Sequence, residues 1–132
     1  MNNQLSPELF RVIDANLNRL KEGIRVVEDI MRYKNNDKIL SHKLKNLRHI
    51  ANVQESLELL KYRDSTNDVL RQTIKSEMNR ADLTDIILAN FKRAQESSRV
   101  LEEIYKLSNA TYSENFKHIR YELYTLEKEI LS

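Results

Sequence analysis

Asn16, Arg19 and Glu22 return as Asn90, Arg93 and Glu96 at a constant offset of 74 residues. A spacing of three places each trio along one strip of an α-helix, which turns once in about 3.6 residues. Arginine offers a planar fork of N–H donors that matches phosphate, and an amide can read the edge of a heterocycle. Two such strips facing each other would line a cleft for a phosphorylated ligand. A plainer reading fits the same residues: Arg19, Glu22 and Arg25 pair along the helix while Ala15 and Gly23 let a second helix approach. Gly23 bears on both readings. A mid-helix Gly is about 1 kcal/mol less favourable than Ala, so close packing or ligand approach must offset it.

The strips belong to a longer repeat. Nine of the eighteen residues at 13–30 are unchanged at 87–104, and five of the nine matched pairs are polar: Asn16/Asn90, Arg19/Arg93, Glu22/Glu96, Arg25/Arg99 and Glu28/Glu102. A repeat kept only for packing would need just the apolar matches. On a wheel of about 100° per residue with Asn16 at zero, Ile13, Leu17, Leu20, Ile24, Val27 and Met31 fall between roughly 20° and 100°, which is the core face.

These strips need long helices to carry them. Ser6, Pro7 and Glu8 read as N-cap, first helical residue and an acid suited to the helix dipole, opening a helix that runs to about Lys34. Asn35, Asn36 and Asp37 turn the chain and cap a second helix, with Ile39, Leu40, Leu44, Leu47, Ile50, Ala51 and Leu57 at helical spacing, ending near Leu60. Asn79 is the expected cap of a third helix to about Leu107. Thr111 to Glu114 matches a capping box for a fourth. The fold class is therefore all-α: two repeated antiparallel helical hairpins forming a four-helix bundle with pseudo-twofold symmetry. One domain over 1–132 is expected, with repeat one at about 7–60, a linker at about 61–78 and repeat two at about 79–132. Leu44-Lys45-x-x-Arg48 and Phe116-Lys117-x-x-Arg120 extend the repeat weakly into the partner helices.

The composition excludes several chemistries. One Gly in 132 residues rules out a glycine-rich phosphate loop, so phosphate must be held by side chains or helix N-termini. Without cysteine there is no disulfide, thiolate metal site or cysteine nucleophile. His42, His49 and His118 have no metal-ligand spacing. The 22 basic and 20 acidic residues are interspersed, which argues against a nucleic-acid-binding surface. No apolar run approaches the roughly 18 residues of a membrane span, and Met1-Asn2-Asn3-Gln4 does not resemble a signal peptide, so a cytoplasmic location is expected.

The linker contributes Arg63, Asp64 and Asp68. Were it helical, the two carboxylates would lie on one side and could share a hard cation through water, although such residues in a polar linker commonly form turns.

The string Arg11-x-Ile13-Asp14-Ala15-Asn16-x-Asn18-Arg19-x-x-Glu22-Gly23-x-Arg25-Val26-x-Glu28-Asp29-x-x-Arg32-Tyr33, then Leu44-Lys45-x-Leu47-Arg48-His49, resembles the monofunctional hydroxymethylpyrimidine-phosphate kinase family of thiamin biosynthesis. That family is found alone or fused in front of thiamine phosphate synthase. The likeness continues through Arg63-Asp64, Asp68-Val69, Ala89-Asn90-x-Lys92-Arg93-x-Gln95-Glu96 and Arg99-Val100-Leu101-Glu102-Glu103 to Arg120-Tyr121. The family pattern has Gly where this chain has Leu70, and Phe where it has Tyr33. The resemblance implies transfer of the γ-phosphoryl group of ATP to 4-amino-5-hydroxymethyl-2-methylpyrimidine phosphate. Asn16, Arg19, Glu22, Asn90, Arg93 and Glu96 would bind the substrates across the pseudo-twofold, with Lys92, Arg25 and Arg99 as further cations toward ATP. Arg63 would stabilise transferred charge, and Asp64 and Asp68 would hold Mg²⁺. A docking module for thiamine phosphate synthase without catalysis of its own is the rival reading. The sequence leaves dimerisation open.

Overall fold

The computed structural model describes residues 5–74 and 78–132. Met1-Asn2-Asn3-Gln4 and positions 75–77 of the linker, both read above, lie outside the described residues.

The helical start signals act as the side-chain chemistry predicts at the first two helices. The Ser6 hydroxyl accepts the Leu9 N–H at 3.3 Å and Pro7 is the first residue of α1, Pro7–Asp29. The chain continues through a π-helical turn, Ile30–Lys34, so the helical rod reaches Lys34. Asn36 then takes a positive φ of 51°, a conformation asparagine tolerates better than most residues. The Asp37 carboxylate caps α2, Lys38–Ile50, by accepting the Leu40 N–H at 2.9 Å.

The sequence pattern carries α2 to Leu60, but the helix stops at Ile50. Ala51 leaves the helical region at ψ 60°, and the Asn52 side chain donates to the His49 carbonyl at 2.7 Å, closing the C-terminus. The chain then turns through α3, Ser56–Leu59, and a 3₁₀ turn, Leu60–Tyr62. This break buries Val53 and Leu59, which a continuous helix could not aim at the stripe of Leu44, Leu47 and Ala51. Leu57, read as part of that stripe, is instead 86% exposed, and Ile39 and Ile50 also face outward.

Two further starts differ from the sequence reading. α4, Leu83–Tyr105, is capped by Asp82 rather than Asn79; Asp82 accepts the Asp85 N–H at 2.9 Å while Asp85 accepts the Ala81 N–H at 3.1 Å. α5, Ala110–Leu131, is capped by Asn109 rather than by the box at Thr111. Starting early places Ser113 inside the helix, where its buried hydroxyl donates to the Glu102 carbonyl at 2.9 Å.

The fold is all-α, and no strand occurs among the described residues. α1 packs against α2 and α4, and α4 against α5. The predicted stripe of α1 is buried throughout and shares one core with Leu44, Phe91, Leu101, Tyr105, Phe116, Ile119 and Leu123. α1 and α4 meet at Gly23, where a Cβ would lie 3.0 Å from the Asn90 carbonyl oxygen and 3.3 Å from Ala94 Cβ. The single glycine is therefore a contact point between helices.

The repeat reaches the buried charges. Glu28 is held by Arg48 at 2.7 and 3.2 Å, and its counterpart Glu102 by Arg120 at 2.9 and 3.2 Å. Each carboxylate sits on the first helix of a hairpin and each guanidinium on the second.

Candidate active site

α1 and the start of the linker enclose a cleft of about 700 Å³. Its floor is the solvent-facing side of α1, from Glu8 and Arg11 to Arg19 and Glu22, and its far wall is Arg63, Asp64, Ser65 and Asp68. Three contacts clamp that wall to the helix. Phe10 stacks on Tyr62 with centroids 5.1 Å apart, Arg11 Nη2 donates to the Asp64 carbonyl at 2.8 Å, and Arg63 forks onto Asp14 with both bonds at 2.8 Å.

Of the residues singled out in the sequence, Asn16, Arg19, Glu22, Arg63, Asp64 and Asp68 are gathered here. Asn90, Arg93 and Glu96 on α4 do not line this cleft. Lys92, Arg25 and Arg99 lie outside it too, each in an ion pair: Lys92 with Glu127 at 3.1 Å, Arg25 with Asp29 and Arg99 with Glu103 at 3.2 Å.

The repeated polar residues now divide by task. Asn16 and Asn90 each donate Nδ2 to a carbonyl four residues back, at 2.9 and 2.8 Å. Arg25 and Arg99 pair one turn ahead, and Glu28 and Glu102 anchor the hairpins. Arg19 and Arg93 make no hydrogen bond or ion pair among the described residues. The i,i+3 pairing of Arg19 with Glu22 is thus not formed, and Arg19 enters the cleft with its fork available.

The linker is not helical at 63–68, so the carboxylates are placed by turns. Asp64 accepts the Asn67 side-chain and backbone N–H groups at 2.8 and 3.1 Å, and Asp68 accepts the Leu70 N–H at 3.0 Å. The Asn67 bonds hold the Asp64 carboxyl below its usual range, first through the side-chain amide and then the backbone. Arg63 is held above its ordinary range, chiefly by the Asp14 hydrogen bond. Leu70, at the position where the family pattern has Gly, is 84% exposed and leaves this turn intact.

No cluster of three or more His, Cys, Asp or Glu that could enclose a metal occurs among the described residues. Two carboxylates with lone pairs to spare, beside cationic side chains, fit Mg²⁺ of the kind that keeps its waters and takes phosphate oxygens.

Asp14, Arg11 and Asn18 are cleft residues that the repeat did not single out. Asp14 lies at about 160° on the wheel, across the core stripe from Asn16, and position 88 is Leu, so the repeat gives no sign of it. All three stand in the string that carries the family resemblance, which was the available signal.

The ThiD2 family model matches residues 11–129. The chain belongs to the ThiD2 family. This ThiD2 chain is 35% identical over 129 residues to a thiamine-phosphate synthase of Nostoc punctiforme, covering 97% of itself and 37% of that protein. It is 38% identical over 130 residues to one from Synechocystis sp., covering 97% and 38%. A third, from Thermosynechococcus vestitus, is 37% identical over 123 residues, covering 92% and 35%. The chain therefore spans just over a third of the curated relatives it matches. No solved structure matches it. No helix among the described residues is long and apolar enough to cross a membrane.

Proposed function

We propose that this ThiD2 domain is a cytoplasmic phosphotransferase of thiamin biosynthesis, converting 4-amino-5-hydroxymethyl-2-methylpyrimidine phosphate to its diphosphate with ATP. Family membership and the likeness to proteins named thiamine-phosphate synthase support the pathway. The observation that carries the reaction type is the Arg19 fork, unpaired among the described residues, in a cleft with Arg11, Arg63 and the linker carboxylates of half-buried Asp64 and exposed Asp68.

The acceptor is a phosphate monoester, largely ionised at neutral pH because its second pKa is about 6. Its oxygen can attack the γ-phosphorus without a strong general base. The bond to the β,γ-bridging oxygen breaks, and ADP leaves with the electron pair. Positioning and charge neutralisation then make up most of the catalysis. Arg19 holds a phosphate in its free fork, Arg63 faces the transferred group, and Asn16 borders the heterocycle. Asp64 and Asp68 would hold Mg²⁺, which neutralises charge on the ATP phosphates when bound. Lys92, Arg25 and Arg99 are left to their ion pairs.

The test combines protein, Mg²⁺-ATP and the pyrimidine phosphate, with ADP and diphosphate both quantified and the unphosphorylated pyrimidine as control. Stoichiometric diphosphate with an inert control supports the reading. A second reading, a non-catalytic module that docks on thiamine phosphate synthase, draws on the chain's covering only a third of relatives that bear that name. It becomes the better account if neither substrate turns over with the synthase added and the two proteins co-elute without ATP.

A further inference from the structure

Asp14 is the one strongly desolvated carboxylate in the pairing that shapes the cleft: its side chain is 8% exposed while that of its partner Arg63 is 46% exposed. The two are joined fork to fork, Nε to Oδ2 and Nη2 to Oδ1, both at 2.8 Å. That engages one edge of the guanidinium, and Nη1 makes no hydrogen bond among the described residues. Docking of the linker does not depend on this pair alone, since the Phe10–Tyr62 stack and the Arg11 bond to the Asp64 carbonyl bracket it on either side. A long arginine side chain left to itself samples many rotamers, and fixing it before substrate arrives removes that ordering from the reaction step.

We propose that Asp14 is a positioning residue: it acts through Arg63, fixing which edge of the guanidinium faces the phosphates, and through the adjoining residue it sets Asp64 relative to α1. The inference rests on the kinase reading above. It assigns Asp14 no contact with substrate.

The experiment measures kcat, KM for each substrate and thermal midpoint for wild type, Asp14→Asn, Asp14→Glu, Arg63→Ala and the Asp14→Asn/Arg63→Ala double variant. Asp14→Asn lowers kcat by about 100-fold, the scale of a misplaced reacting group, with each KM within about threefold. Added to Arg63→Ala it produces no further loss of kcat, because the path through Arg63 is already gone. Asp14→Glu keeps the charge but moves the fork by one methylene, so it holds its midpoint and still loses kcat; it serves the test even if Asp14→Asn fails to fold. Full activity in Asp14→Glu, or an additional loss on the Arg63→Ala background, overturns the inference while leaving the kinase reading intact. An inert wild type overturns the kinase reading and this inference together.

Discussion

The two repeats are alike where they hold themselves together and unlike where one of them forms a cleft. Both carry an asparagine bonded back along its helix, an i,i+4 pair at Arg25 or Arg99, and a buried Glu–Arg pair between the hairpin helices. Both also expose an arginine without a partner among the described residues, Arg19 or Arg93. Among the described residues the linker folds over the helix around Arg19 to make the cleft, because Phe10, Arg11 and Asp14 receive it. At the positions equivalent to these three stand Thr84, Asp85 and Leu88, which cannot reproduce the stack, the cationic donor or the carboxylate fork. The repeat is legible in the helices, and the connection distinguishes them.

That contrast is open to direct attack. The largest expected effect is on turnover: Arg19→Ala loses about 100-fold or more in kcat/KM, as for removal of a charge-stabilising donor, while Arg93→Ala stays within about tenfold and both keep their helicity. Equal losses in steady-state assays would restore a symmetric site across both repeats. Next come the anchors the repeats share. Glu28→Ala and Glu102→Ala each leave an arginine uncompensated and destabilise by about 3–5 kcal/mol in urea unfolding, with Glu102 the larger because Arg120 is 10% exposed and Arg48 20%. Gly23→Ser imports the residue found at the equivalent position 97. It crowds the Asn90 carbonyl and destabilises by about 1–3 kcal/mol, so an unchanged midpoint would mean that the helices have room to separate.

The smallest effect separates the helix ends. Tyr105 stands where repeat one has Met31, and burial followed by its hydrogen bond to Glu55 pushes its hydroxyl above the ordinary value of 10.0. A group whose folded pKa is raised contributes stability that is complete below the unfolded pKa and is lost as pH rises toward the folded one. Stability should therefore decline above about pH 10, and ultraviolet titration should show the Tyr105 hydroxyl staying protonated until the chain unfolds. Replacement by Phe should remove that alkaline dependence.

The all-α class and the α1 core face were readable because hydrophobic spacing alone decides them. The end of α2 was not. Apolar residues continue past Ile50, and only the tertiary gain from burying Val53 and Leu59 turns the chain there. In the cleft, Asn16, Arg19 and Glu22 stood out through repetition, whereas Asp14 and Arg11 are unrepeated, stood only in the family string, and take their roles from the linker folding back. The linker carboxylates were legible as residue types, but their turn geometry depends on Asn67 and Leu70 backbone bonds that spacing does not encode.

The π-helical turn at Ile30–Lys34 bears on how the two hairpins can differ in length. Glu28 and Arg48 are 20 residues apart, Glu102 and Arg120 only 18, yet both pairs close. The wider turn takes in more chain per revolution, and Asn36 reverses it, so the extra residues are accommodated beyond the ion pair at the hairpin tip. The salt bridge thus works as a register pin: it fixes how α2 sits along α1 while the turn beyond it, held by Met31 in the core and by the Asp37 N–H on the Met31 carbonyl at 2.8 Å, takes up the two extra residues.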